Sequence, residues 1–154
     1  MAANGICRRK DLHISKIYIT KSRNETIALG AKLAKTLKPG DVIALIGELG
    51  SGKTTLTKGI ARGLGVKGCR YVNSPSFVII KEYPGKKILM YHFDVFRLDS
   101  SGGHGTIGYE EYFYGGGVCV VEWADRIKKL LPKKYIEVKI DIMKGNNRKI
   151  SIKK

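Results

Sequence analysis

The octapeptide Gly47-Glu48-Leu49-Gly50-Ser51-Gly52-Lys53-Thr54 constrains this chain more than any other feature. It fits G-x-x-x-x-G-K-[ST], a loop whose glycines let successive backbone N–H groups converge on one anion. The apolar run Val42 to Ile46 precedes it and reads as a buried strand. Thr55 to Leu64 follows as a helix, with Leu56, Ile60 and Leu64 on one stripe. A strand, a glycine loop and a helix in that order place the helix amino terminus, with its partial positive charge, against a phosphate. Lys53 adds a full charge for the β- and γ-phosphates, and the Thr54 hydroxyl can ligate Mg²⁺. A nucleoside-triphosphate site is the first expectation.

The 154 residues suit one domain, and a hydrophobic fraction of 43% is enough for a single core. No apolar run reaches transmembrane length and the amino terminus has no signal-peptide core, so no membrane and a cytoplasmic location are expected. Cys7, Cys69 and Cys119 are odd in number, form no C-x-x-C pair and match no zinc spacing. Cys119 lies within an apolar run and reads as a small core residue. The net charge of +16 favours polyanionic partners. It fits a solvated lysine-rich surface equally, and no aromatic RNA-binding signature accompanies it.

Residues 1–13 read as a flexible extension and 14–154 as the domain. Ile14 to Thr20 alternates as a strand, with Ile17 and Ile19 on one face. Ser22-x-x-Glu25 is a capping box opening a helix that carries Leu29, Leu33 and Leu37. Gly63-Leu64-Gly65-Val66-Lys67-Gly68 spells G-x-G-x-x-G, yet it follows a helix, so it reads as a C-cap and turn rather than a dinucleotide fingerprint. Ser76 to Tyr83 and Lys87 to Phe96 read as an antiparallel hairpin turned by Pro84-Gly85. Ser101 to Gly117 is glycine-rich and expected to be mobile, with a short helix near Tyr109–Tyr114. A strand at Val118–Val121, a helix from Ala124 to Leu131, and strands at Tyr135–Met143 and Arg148–Lys153 complete the order. The fold class is α/β, a three-layer P-loop NTPase-like fold with a mixed sheet and antiparallel C-terminal strands.

Hydrolysis or transfer also needs acids that hold the metal and orient the nucleophile. Glu122 emerges at the carboxyl end of the Val118 strand, where open α/β sheets place ligands and where a Walker B acid lies. Asp94 lies in Tyr91-His92-Phe93-Asp94, sharing a strand face with His92. Two simpler roles stay open: Asp94 as a partner of Arg97 across a turn, and Glu122 as a helix-end acid. His92 reads as a core or turn histidine and is left outside the catalytic set.

Together these segments resemble one family. The order is Gly-Glu-Leu-Gly-Ser-Gly-Lys-Thr-Thr, then Ser74-Pro75-Ser76-Phe77, Tyr91 to Leu98, Glu111-Tyr112-Phe113, and Val121-Glu122-Trp123-Ala124-Asp125. It resembles the TsaE (YjeE) family, P-loop ATPases of bacterial tRNA threonylcarbamoyladenosine (t6A) synthesis, from about Ile14 to the C-terminus. The resemblance implies weak, Mg²⁺-dependent ATP hydrolysis. It implies work beside TsaB and TsaD, which modify adenosine 37 of tRNA, with tRNA met indirectly through that complex. Hydrolysis would reset the complex between turnovers rather than drive the transfer.

Carried over by position, Gly47, Glu48, Leu49, Gly50, Ser51, Gly52, Lys53, Thr54 and Thr55 cradle the nucleotide. Lys53 and Asp94 form the catalytic set, Asp94 orienting the attacking water. Thr54 and Glu122 hold the metal. Ser76 stands where many members have Thr, in a segment likened to a GTPase switch. Trp123 lies near the nucleotide, and Arg148 and the 22–26 segment flank it. Asp99 to Thr106 departs from the more acidic stretch usual in the family. Two other functions fit a basic P-loop chain: a small-molecule kinase and a nucleic-acid-binding module. Only eight arginines are present and none falls in the glycine-rich segment, which argues against the arginine-rich lid of a kinase.

Overall fold

Val42, Ile43, Ala44 and Leu45 are all buried, so their strand, β2 once Ser15–Thr20 is taken as β1, must be covered on both faces. The computed structural model describes residues 15–98 and 108–154. The expected extension at 1–13 and the departure at Asp99–Thr106 lie outside the described residues.

β2 (Val42–Ile46) is the middle of a seven-stranded sheet. Along the chain the remaining strands are β3 (Ile80–Pro84), β4 (Leu89–Asp94), β5 (Val118–Glu122), β6 (Ile136–Ile142) and β7 (Arg148–Lys153). Their spatial order is β1-β7-β6-β2-β5-β4-β3. The four strands β6, β2, β5 and β4 run parallel, and the rest pair antiparallel outside them. The C-terminal hairpin of β6 and β7 is therefore flanked by β1, which forms that edge. β2 and β5 are near-continuous apolar runs because they are covered on both sides, whereas β6 alternates.

Helices α1 (Arg23–Ala34) and α2 (Lys53–Gly63) cover one face. Leu29, Leu33, Leu56 and Ile60 pack there on Ile43, Leu45, Val120, Val138 and Ile140. The helices meet at glycines: a methyl on Gly59 would overlap the Ile27 carbonyl, and one on Gly30 the Leu56 carbonyl. The Ser22 hydroxyl caps α1 by accepting from Glu25 N at 3.2 Å. The Glu25 carboxylate accepts from Lys21 N at 2.7 Å, one residue before the usual reciprocal partner. The helix stops at Ala34, and Leu37 is buried from the turn that follows.

The other face carries Val42, Ala44, Phe93, Cys119 and Val121. It is covered by α3 (Tyr109–Phe113) and by a 3₁₀ segment, Ala124–Leu130. Three layers result, as the sequence predicts. Over β1 that face is open, with Ile17 60% and Ile19 48% exposed while Tyr18 turns to the helical side.

Other sequence expectations change as well. The Ala124 segment is 3₁₀ and kinked at Ile127, not an α-helix. β3 begins at Ile80, not Ser76, because Val78 N and Ile79 N both turn back to Pro75 O and Ile79 has φ 69. From Gly108 onward the glycine-rich stretch is packed, with Tyr109 and Phe113 buried. The Gly63–Gly68 run is a helix end and turns, with Gly65 and Gly68 at positive φ, as expected.

Candidate functional site

Parallel strands send their carboxyl ends to one side of the sheet, and loops leaving them build the ligand crevice. Here β2 delivers the glycine loop, β5 delivers Glu122, and β4 delivers Asp94. In the β4–β5 ladder Asp94 and Glu122 are register partners.

The loop's geometry needs its glycines. Gly50 and Gly52 have φ of 77° and 106°, the left-handed region that disfavours side chains. A Cβ on Gly47 would lie 2.6 Å from Ser51 Oγ and 2.7 Å from Ile140 O. α2 begins at Lys53, earlier than the expected Thr55, so its first-turn N–H groups, without intrahelical acceptors, face the loop. Lys53 is 5% exposed. Its Nζ donates to Gly47 O at 2.7 Å and Glu48 O at 2.9 Å, and lies 3.8 Å from the centre of the Trp123 ring. Burial pushes the Lys53 ammonium below its ordinary pKa, while Glu122, Asp94 and Asp125 pull it back up. An arriving phosphate would add to that counter-charge.

Thr54 Oγ1 lies 3.0 Å from both carboxylate oxygens of Glu122. His92 approaches from behind, its Nε2 2.8 Å from Glu122 Oε1, and it is fully buried. An ionised carboxylate only accepts, so Nε2 carries the proton in that bond. Among the described residues His92 Nδ1, which is buried, has no hydrogen-bond partner. Among the described residues no group of three or more His, Cys, Asp or Glu could hold a metal. One hydroxyl and one carboxylate are still the hard oxygen donors that suit Mg²⁺, which keeps most of its water and takes phosphate oxygens beside few protein ligands. Glu122 is thus the end of a strand with two polar partners, not a helix-end acid.

Asp94 is also placed away from its simpler role. Its Oδ1 accepts from Phe96 N at 2.9 Å, and its Oδ2 accepts from the Ser74 hydroxyl. Ser74 Oγ lies 3.0 Å from Ser76 Oγ. Arg97 instead lies over the Phe77 ring, 4.3 Å from its centre.

A cavity of about 320 Å³ opens between these groups. Of the residues expected from sequence, Leu49, Gly50, Gly52, Lys53, Thr54, Thr55, Ser76, Asp94, Glu122 and Trp123 line it. Gly47, Glu48, Ser51 and Arg148 do not. Gly47 and Glu48 offer carbonyls to Lys53, and Ser51 Oγ is buried beneath the loop. Arg148 braces the loop from outside, its Nε donating to Ser51 O at 3.0 Å and Nη2 to Gly50 O at 3.3 Å. Its long side chain spends its donors on carbonyls rather than on a ligand.

Sequence reasoning passed over His92, Ser74 and Phe96. Ser74 and Phe96 line the cavity, and Phe96 packs 4.8 Å from Trp123. Strand alternation already put His92 on the face of Asp94; its contact with Glu122 needed the β4–β5 ladder. Trp123 has φ 61, strained for a non-glycine residue, and this turn swings its ring over Lys53.

Comparison with known proteins decides the family. The profile of "Threonylcarbamoyl adenosine biosynthesis protein TsaE" matches residues 20–150. The chain belongs to the TsaE family. It is similar to the tRNA threonylcarbamoyladenosine biosynthesis protein TsaE of Bacillus subtilis, 45% identical over 86% of this chain and 81% of that protein. It is similar to the Aquifex aeolicus protein of the same name, 36% identical over 92% of this chain and 98% of that one. The fold matches the crystal structure of Bacillus subtilis YdiB with a TM-score of 0.77 at 38% identity, covering 92% of this chain and 86% of that one. Among the described residues no helix is long and apolar enough to cross a membrane.

Proposed function

We propose that this TsaE-family chain binds ATP with Mg²⁺ and hydrolyses it slowly in support of tRNA t6A formation, acting in the cytoplasm beside TsaB and TsaD homologues. The convergence of Thr54 and Glu122 at the mouth of the glycine loop, with Asp94 on the adjoining strand, carries this reading. The names of its relatives support the tRNA role.

The chain's own groups supply binding and orientation. Backbone N–H groups of the loop and of the first turn of α2 hold phosphate oxygens. Lys53 gives up its two carbonyl acceptors for the β- and γ-phosphates. Thr54 and Glu122 are the residues that would hold Mg²⁺, which would supply neutralisation of phosphate charge. His92 keeps the Glu122 carboxylate turned toward Thr54. Asp94 accepts a hydrogen bond from a water in line with the γ-phosphorus. The water oxygen bonds to phosphorus, the bond to the β–γ bridging oxygen breaks, and the water's proton leaves through Asp94 to solvent or phosphate. ADP and phosphate are the products. The kinase reading gains nothing here: Phe96, Trp123 and Leu49 are among the residues lining the cavity, and among the described residues no arginine lines it.

Reconstitution with TsaB and TsaD tests this reading. Multiple rounds of tRNA modification should require this chain and ATP, and the Lys53→Ala variant should stop after about one round. Equal turnover without the chain would overturn it.

A further inference from the structure

The end of the sheet opposite the nucleotide site carries a second, larger cleft of about 760 Å³. Asp41 precedes β2, Tyr135 precedes β6, and Lys153 closes the antiparallel β7, so the cleft sits at the amino ends of the parallel strands. The length of β2, about 15 Å, separates it from the glycine loop. Lys38, Lys133, Lys134, Lys153 and Lys154 line it. Among the described residues, the carboxylate side chains lining it are those of Asp41 and Glu137, and Asp41 Oδ2 already accepts from Lys38 N at 2.8 Å. The acids that matter to the nucleotide site, Asp94, Glu122 and Asp125, lie at the other end. Three carboxylates thus lie near Lys53, while five lysines line the far cleft.

The lysines come from three separate stretches: the turn after α1, the link before β6, and the end of β7. All five are exposed. α1 turns its carboxyl end toward the cleft, which repels rather than cradles an anion. No glycine lines the cleft, so it has no loop of convergent N–H groups. A compact triphosphate needs such a preorganised cradle. Spread point charges on long side chains suit an extended polyanion met one phosphate at a time.

We propose that this lysine cleft binds the phosphate backbone of RNA, independently of the nucleotide site. The contact is sequence-tolerant, because no aromatic platform or base-reading array accompanies the lysines.

The test is fluorescence anisotropy of a labelled RNA hairpin with the full chain, in KCl from about 0.05 to 0.3 M. The cleft variant is Lys38→Ala/Lys133→Ala/Lys134→Ala/Lys153→Ala. A charge-matched control replaces exposed Lys16, Lys67, Lys87 and Lys144 by Ala. The cleft variant should lose about tenfold or more in affinity, and its log–log salt slope should shrink by roughly two to four. The control should change both far less. Lys53→Ala should bind the hairpin like the parent, so a failed nucleotide site does not disturb the result. Equal losses in cleft variant and control would reduce the effect to net charge and overturn the proposal. Loss of tripolyphosphate binding in the cleft variant with RNA binding intact would assign the cleft to a small anion, also overturning it. Circular dichroism melting of both variants, matching the parent, excludes unfolding as the cause.

Discussion

Thr54 and Glu122 come from the first turn of α2 and the end of β5, yet the threonine hydroxyl sits 3.0 Å from both glutamate oxygens. That pairing ties the loop to the neighbouring strand and leaves a hydroxyl and a carboxylate side by side for one hard cation. Glu122→Gln keeps the shape and removes the charge. The Mg²⁺ concentration for half-maximal ATP hydrolysis should rise about tenfold or more, while metal-free nucleotide binding holds. His92→Asn should move the same metal titration about 10- to 100-fold, because it removes the donor that orients Glu122. An unshifted metal curve in both variants would remove this pair from the metal site.

Asp94 holds two hydrogen bonds that fix its carboxylate, one from Phe96 N and one from Ser74. Asp94→Asn retains a polar group of the same size and loses the acceptor for a water proton. Turnover should fall about 100-fold or more with nucleotide affinity little changed. Single-turnover phosphate release and equilibrium binding together separate these effects. A variant hydrolysing at the parental rate would leave Asp94 a structural residue.

Gly59 lies where α2 touches α1, with no room for a methyl beside Ile27 O and Gly30 Cα. Alanine is the better helix former by about 1 kcal/mol, yet overpacking here costs more. Gly59→Ala should lower unfolding stability by about 1–3 kcal/mol in urea titration. An exposed helical glycine would give the opposite sign, so the direction is diagnostic.

Cys119 donates to Tyr112 O at 3.2 Å, and burial pushes its thiol from 9.0 up to about 12. Burial likewise pushes the Tyr109 hydroxyl to about 12. Both folded values lie above the unfolded ones, so their stabilising effect is complete at neutral pH and is lost as pH rises toward 12. Stability measured by denaturant should therefore decline from about pH 9 upward. In a Cys7→Ser background at pH 8, Cys69, half-buried, should react with a thiol reagent while Cys119 reacts only on unfolding.

Much of this site was legible in the sequence because local chemistry dictates it. The glycine loop between an apolar strand and an amphipathic helix has one reading, and Glu122 announces itself by ending a doubly buried strand. Ser22-x-x-Glu25 marked the start of α1. Contacts that depend on non-local pairing stayed hidden, even where the resemblance named the residue. His92 meets Glu122 only because β4 and β5 are neighbours, and Arg148 meets the loop only because β6 and β7 fold back beside β2. The start of β3 was misplaced because Ile79, a β-branched residue, takes a left-handed φ that propensity argues against. The 3₁₀ run after Trp123 has helical spacing, but it is kinked at Ile127, which is buried against the sheet.

Trp123 is the single tryptophan of the chain and lies 3.8 Å from Lys53 Nζ, so its fluorescence reports the loop directly. Titration of ATP with Mg²⁺ should change that fluorescence saturably as Lys53 turns to phosphate. The Lys53→Ala variant, titrated by calorimetry, should bind about 100-fold more weakly. Parental affinity in that variant would contradict a triphosphate held in this loop.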